Sequence, residues 1–278
     1  MPKDKPTLIA VTSDHHVGST LGLSAPQGAR TDDGQKIIPS KVQRWTWQCW
    51  RDFHDKVDAR RKELDAKLIY VLNGDCVDGD HHNTTALMAP DAEAAQMYLG
   101  QEVFGVPKSL EPDHLFIVRG TEAHVGPSAS AEEALAQMLR CDRDPETQNF
   151  SSYILRFREH GVLFDFRHHC SVGGQLWTRP GGVARLAFRH WAECMENNEE
   201  PANVIVRSHV HVHGDSGSAH RTRAIVTPAW QLKTAYVHKV ATESIADIGG
   251  IIIAVHPSGR YEVEPVMYHP ALPKVRTL

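Results

Sequence analysis

The sequence predicts an α/β fold, and three observations carry that prediction. Short apolar, β-branched runs recur along the chain with helical segments between them, which is the pattern of strands alternating with helices. The 278 residues are 41% hydrophobic, near the upper size for one core, so one domain spanning 1–278 is the simplest organisation. Acidic and histidine residues also fall repeatedly just past the C-terminal ends of the apolar runs, the edge of an open α/β sheet where ligands bind.

In chain order, the run Leu-Ile-Ala-Val-Thr at 8–12 predicts the first strand, and a long helix follows over 39–64. The apolar run 68–72 predicts the second strand, 91–99 a short helix, and 115–118 a third strand. A Ser130-Ala131-Glu132-Glu133 start points to a helix over 131–139. Strands are expected at 153–157 and 162–167, then a helix at 183–197 after Pro180-Gly181-Gly182, then strands at 204–207, 223–227, 250–255 and 261–266. Long Pro- and Gly-rich connections occupy 18–39, 79–90, 125–130, 170–182 and 212–220; such loops are usually functional or disordered, and 18–39 is placed to overhang a pocket as a lid or is an insertion of no catalytic consequence.

Composition narrows the function. Thirty Lys and Arg against 34 Asp and Glu give a formal charge of −4, so no net cationic field draws the chain to nucleic acid or membrane. A nucleic-acid substrate would need a local patch; Arg179, Arg185, Arg189, Arg207, Arg221 and Arg223 crowd the later segments, as phosphate ligands or as dispersed surface charge. Cys49, Cys76, Cys141, Cys170 and Cys194 suggest neither a disulfide framework nor a zinc knuckle, which fits a reducing cytoplasm. The N-terminal run is too short and too quickly polar for a signal peptide, and no apolar stretch spans a bilayer, so no membrane partner is expected. Of the 18 histidines, nine gather at His15-His16, His81-His82, His168-His169 and His209, His211, His213, a placement that points to metal.

The predicted strands deliver these residues in turn: Ser13-Asp14-His15-His16, then Asn73-Gly74-Asp75-Cys76-Val77-Asp78, then Arg119-Gly120-Thr121-Glu122-Ala123-His124, then His168-His169, then Ser208-His209-Val210-His211. Carboxylates and imidazoles from five strand ends suit two divalent ions in one pocket. Asp14 and His16, two apart on an extended segment, point the same way, as do His209 and His211. Gly74 lets the backbone approach closely and leaves Asp75 free to bridge two ions.

Asp14-x-His16, Gly74-Asp75-x-x-Asp78, the Gly120-led third motif, a strand-end histidine and His209-x-His211 together resemble the signature of the calcineurin-like metallophosphoesterase superfamily over residues 7–213, and the run 119–124 is similar to phage or prophage members. The resemblance implies a four-layer αββα sandwich, two mixed β-sheets flanked by helices, with a dinuclear site at the strand C-terminal ends. It implies that Asp14, His16, Asp75 and His211 hold one ion, with Asp75 bridging to a second held by His209 and by His168 or His169. Where relatives carry Gly-Asn-His, this chain has Gly120-Thr121-Glu122-Ala123-His124, so Thr121 or Glu122 stands in for the asparagine and His124 for the acid that protonates the leaving group. Attack by a hydroxide bridging the ions follows from the family pattern. Manganese is the expected metal, with magnesium, iron and zinc as alternatives.

Other residues have plainer readings beside the sharper ones. Asp78 suits loop-holding better than ligation, while His81, His82 and Arg119 are candidate substrate contacts. Trp45, Trp47 and Trp50 cannot all enter one core from a single helix, so that helix offers a homo-oligomer surface if no loop covers it. The substrate expected is a phosphodiester, DNA or a nucleotide; a phosphomonoesterase or protein phosphatase is the enzymatic alternative, and a non-catalytic metal-binding scaffold the other class.

Overall fold

The computed structural model of the chain describes residues 4–30, 34, 36–79, 92–172, 176–218, 220–234, 238–239, 246–271 and 275–277. Its elements, in chain order, are β1 (Thr7–Thr12), β2 (Ala29–Arg30), β3 (Lys36–Ile37), α1 (Lys41–Leu64), β4 (Lys67–Asn73), α2 (Ala92–Lys108), β5 (His114–Val118), α3 (Glu122–Val125), α4 (Ser130–Leu139), β6 (Ser151–Ser152), β7 (Leu155–Glu159), β8 (Val162–Phe166), α5 (Arg179–Glu196), β9 (Val204–Arg207), β10 (Gly214–Asp215), β11 (Arg223–Val226), β12 (Ile248–Val255) and β13 (Tyr261–Tyr268).

Two mixed sheets stack face to face. One has the order β13-β12-β1-β4-β5-β6 and the other β10-β11-β9-β8-β7, with β2 and β3 forming a small hairpin. Alternate residues of each strand face opposite ways, so Ile9, Val11, Ile69 and Val71 meet Phe164, Phe166, Val204 and Val206 between the sheets. The opposite faces of β1 and β4, through Leu8, Ala10, Leu68 and Leu72, pack against Trp50 and Phe53 of α1, Phe104 of α2 and Leu135 of α4. Beyond the second sheet, Ile205, Ala224 and Val226 meet Val183 and Ala187 of α5. The layers therefore run helix, sheet, sheet, helix, as expected. Burial on both faces explains why the central strands read as unbroken apolar runs, each large side chain contributing about 1.5–3 kcal/mol.

Helix α1 starts where Ser40 accepts a hydrogen bond from the Gln43 amide while the Gln43 side chain accepts one from the Ser40 amide, and it ends at Asp65 in the left-handed conformation. Helix α2 runs on to Lys108, well past the expected end at 99. Gly100, Gly105 and Pro107 read as breakers, but Val103, Phe104 and Val106 of the same stretch are buried, and that burial outweighs a glycine cost of about 1 kcal/mol each.

The described part of the connection 18–39 packs into the domain and forms no lid over the strand ends. Leu23, Ala25 and Ala29 belong to the core under α1 and α2, the Leu23 amide donates to the His15 carbonyl at 2.8 Å, and Gln43 Nε2 donates to the carbonyls of Ser19 and Gly22. Trp50 is fully buried, edge-on to Trp230 at 4.8 Å, and the half-buried Trp45 and Trp47 pack against the same core, so the indoles behind the oligomer expectation have partners within the chain. Among the described residues, no helix is long and apolar enough to cross a membrane.

Candidate metal centre

Because β1, β4 and β5 are parallel neighbours, as are β8 and β9, their C-terminal ends share an edge within each sheet. A buried polar seam binds the two edges together: Asn73 Nδ2 donates to Ser208 Oγ at 2.6 Å, and the Thr227 hydroxyl lies 2.7 Å from both Ser208 Oγ and Ser13 Oγ. The first two motif loops are also zipped, with Asp14 N donating to Gly74 O, His16 N to Asp75 O and Val17 N to Cys76 O at 2.9–3.0 Å.

Five candidate ligands sit in the left-handed region: Asp14 at φ 52°, His16 at 45°, Asp75 at 51°, His209 at 77° and His211 at 55°. Each such non-glycine residue costs on the order of 1 kcal/mol or more and persists only where its surroundings dictate it. Asp14 and His16 thus converge, as do His209 and His211, through left-handed residues and not through the strand alternation expected from their spacing. Glycine is required at two neighbouring points, since a Cβ on Gly74 would overlap the His168 ring and one on Gly120 would overlap Asp75.

The side chains meet in overlapping groups. In one, Asp14 Oδ1 lies 3.2 Å from His211 Nε2, which lies 3.3 Å from His16 Nε2. In the other, the donor nitrogens of His168, His169 and His209 cluster, and Thr121 Oγ1 stands 3.2 Å from His209 Nδ1 and 3.3 Å from His169 Nε2. Asp75 joins the two: its Oδ2 is 3.0 Å from His168 Nε2, 4.0 Å from His16 Nε2 and 3.2 Å from the Thr121 hydroxyl, while Oδ1 accepts from the Thr121 amide at 2.6 Å.

These residues fit divalent cations on their own geometry. Asp14 Oδ1 and His168 Nε2 are buried and make no well-directed hydrogen bond, although His211 Nε2 and Asp75 Oδ2 crowd them at 3.2 and 3.0 Å, a costly arrangement unless something else satisfies them. His168 Nδ1 donates to the Asn73 carbonyl at 2.8 Å, and His16 Nδ1 donates to Asp78 Oδ1 at 2.9 Å. Once Nε2 is deprotonated, each ring would present its lone pair inward, the orientation seen where an outer carboxylate or carbonyl fixes a metal-binding histidine. Two imidazole nitrogens 3.3 Å apart beside a bare carboxylate oxygen are accommodated by a shared cation.

The electrostatics agree. Burial raises the Asp14 pKa, but His211 and His168 override it and hold the carboxyl well below its usual range; for Asp75, His168 outweighs burial in the same way. Burial lowers the pKa of His168, yet Asp75 and Asp14 raise it to about 10. In His16 the Asp78 hydrogen bond and the Asp75 charge likewise overcome burial and raise the pKa. His169 and His209 are pushed down, by burial first and then by His168.

The remaining sequence-selected residues divide. His124, on the one-turn helix α3, stands with its ring 4.5 Å from that of His16 and donates from Nδ1 to the Asp78 carbonyl at 2.9 Å, so the turn of helix takes up its displacement in the third motif. Glu122 is exposed and joins none of the groups among the described residues. Arg119, expected at the substrate, is instead committed outside the cluster: Nε donates to Ser151 Oγ, Nη2 to Glu133 Oε2, and the guanidinium lies over the Tyr153 ring. His81 and His82 lie outside the described residues. His15 turns into the core between Trp50 and Phe104, where burial pushes its pKa down to about 3. Burial likewise lifts the thiol of Cys76 well above its usual range and that of Cys170 to about 12, which suits fillers and not thiolate ligands.

Glu132 was legible only as part of a helix start. It is fully buried, accepts from the Gly120 amide at 2.6 Å and the Cys76 amide at 3.1 Å, and so ties the second and third motif loops together behind Asp75. Burial and then the Asp75 charge raise its pKa to about 7.

No family model matches the sequence, and no curated protein matches it significantly. Solved structures similar to the chain include a dimetal phosphatase from Danio rerio at 10% identity, with a TM-score of 0.45, covering 96% of this chain and 100% of that one. A novel archaeal phosphodiesterase is 10% identical with a TM-score of 0.40, covering 94% and 100%. Vps29 from Entamoeba histolytica, complexed with zinc, is 9% identical with a TM-score of 0.43, covering 94% and 99%.

Proposed function

We propose that the chain is a metal-dependent phosphoesterase of the calcineurin-like type, acting on phosphodiesters. The observation that carries this reading is the Asp75 carboxylate, set between two groups of inward-facing imidazoles with the orphaned Asp14 Oδ1 and His168 Nε2 beside it. Asp14, His16, Asp75 and His211 would hold one divalent cation, and Asp75, His168, His209 and the Thr121 hydroxyl would hold the other, with His169 beside it. Mixed carboxylate and imidazole donors suit manganese, iron or zinc. The cations supply the positive charge that activates water and offsets the charge of the phosphoryl oxygens.

The chain's own groups do the rest. Asp78 fixes the His16 ring through Nδ1 and holds His124 through its carbonyl, so the proton that His124 gives the leaving oxygen sits on Nε2. Glu132 and the zipped loops keep Asp75 in place as charge moves. A diester is favoured because exposed His169 and His209 leave one side of the centre open to a second substituent on phosphorus.

Hydrolysis of bis-p-nitrophenyl phosphate and of p-nitrophenyl phosphate, with Mn²⁺, Mg²⁺ or Zn²⁺ added, tests the reading. The diester is expected to turn over faster, and Asp75→Asn, by removing several kcal/mol of charge stabilisation, to cut the rate by about 10³-fold. No turnover with any of these metals, or an active Asp75→Asn variant, overturns it; faster monoester turnover transfers the reading to a phosphomonoesterase.

A further inference from the structure

A cavity of 680 Å³ opens beside His169 and is walled by Arg167, Arg185, Phe188, Arg189, His190 and Arg207. His169 belongs to the metal centre as well, its Nε2 lying 3.3 Å from Thr121 Oγ1, so the groove begins where the open side of the centre ends. Its charge stands out against a chain of formal charge −4. Four guanidinium groups line it, and the carboxylates that answer them are Glu193, which also lines it, and Asp165 below.

Three of the four arginines are at least partly engaged. Arg207 is buried and donates to Asp165 Oδ1 at 2.7 Å, Arg167 donates to both oxygens of Asp165, and Arg189 donates to Glu193 at 2.7 Å. Arg185 is exposed and, among the described residues, makes no hydrogen bond or ion pair. Beside it Phe188 is 54% exposed, with Trp191 and His220 near its ring at 5.9 and 6.4 Å. An unpaired guanidinium next to an open aromatic face, over a wall with excess positive charge, is what a nucleotide's phosphate and base together require.

We propose that this groove binds the strand on one side of the scissile bond, Arg185 taking a neighbouring phosphate and Phe188 stacking a base, so that the substrates are single-stranded oligonucleotides. The substrate class rests on the phosphoesterase reading of the Asp75 centre; the binding site does not.

The experiment uses the full chain with Arg185→Glu and Phe188→Ala, two exposed positions outside the metal centre. Binding of fluorescent thymidylate and uridylate oligomers is followed by anisotropy in EDTA, and kcat/KM for oligomer and for bis-p-nitrophenyl phosphate is measured with Mn²⁺. Arg185→Glu is expected to weaken oligomer binding about tenfold or more and Phe188→Ala about fivefold or more, with a shallower salt dependence in Arg185→Glu. Turnover of bis-p-nitrophenyl phosphate, which carries no second phosphate, should stay within about twofold in both, and their thermal unfolding should match the wild type. Wild-type protein that binds neither oligomer, or variants that bind them as the wild type does, overturn the groove even if the chromogenic diester is cleaved. Oligomer binding lost in the variants supports the groove even where no diester is cleaved, an outcome that removes the hydrolytic reading alone.

Discussion

The two halves of the metal centre are built to different standards. Around Asp14, His16 and His211 the carboxylate is fully buried and the His16 ring is pinned by Asp78, whose Oδ1 also lies 3.4 Å from Gln231 Nε2. Around His168, His169 and His209 only His168 is buried and pinned, by the Asn73 carbonyl; the other two are exposed, with the Thr121 hydroxyl between them. A ligand fixed by outer hydrogen bonds loses little freedom on binding a cation, and an exposed one loses more. If the centre holds two cations as proposed, the closed half should be the stronger site and the open half the one that exchanges its cation and meets substrate.

This contrast breaks most directly by removing one support from each half. Asp78→Ala removes the acceptor that pins the His16 ring, and the expected loss is about 10–100-fold in affinity for the tighter cation. His209→Ala removes a donor from the open half and should abolish the weaker equivalent while leaving the tighter one in place. Titration calorimetry with Mn²⁺ on EDTA-stripped protein reads both constants. Two equal sites, or a tighter site lost in His209→Ala, would reverse the assignment of strength.

How much of this was readable beforehand follows from what each residue answers to. The strands were legible because burial on both faces leaves near-continuous apolar runs, as in 68–72, whereas the two-residue strands β2, β3, β6 and β10 are too short to leave a pattern. The ligand candidates were legible because carboxylate and imidazole recur at strand ends. Their left-handed backbone was not, since Asp and His announce no positive φ as glycine does, and the expected reason for convergence was accordingly wrong. Glu132 and Glu133 looked like helix-start acids; both reach away, to the amides of Cys76 and Gly120 and of Phe150 and Ser151, and only tertiary structure reveals such partners. His168 could be told from its neighbour only once burial was known.

Protonation sharpens the comparison further. The His168 pKa is raised to about 10, so its proton favours the folded chain fully below 6.5, and that stability is lost as pH rises through about 10. Asp14 and Asp75 have depressed values, so their contribution is present above 3.8 and lost as pH falls below it. In EDTA the unfolding free energy from chemical denaturation should therefore decline on the alkaline side, by up to about 1.4 kcal/mol per pH unit for one proton. Cation binding displaces that proton, so affinity at the open half should rise up to about tenfold per pH unit between 7 and 9, and Mn²⁺ should flatten the alkaline decline. Calorimetry in two buffers of different ionisation enthalpy counts the protons, and a count of zero would sink the pairing of His168 with the carboxylates.

The smallest effect is the most discriminating for the third motif. Thr121 has two separable roles: its amide donates to Asp75 Oδ1 at 2.6 Å, and its hydroxyl sits among Asp75, His169 and His209 at 3.2–3.3 Å. Thr121→Val keeps the amide and the shape and deletes only the hydroxyl. If that oxygen is a donor to the second cation, the variant should weaken the open half about three- to tenfold, the worth of about one polar contact, and leave the closed half unchanged. Thr121→Asn supplies a carbonyl oxygen on a longer arm and should restore or exceed the original affinity. An unaltered open half in Thr121→Val would mean that the hydroxyl only steadies Asp75 and the two exposed rings, leaving His169 as the donor that completes the second site.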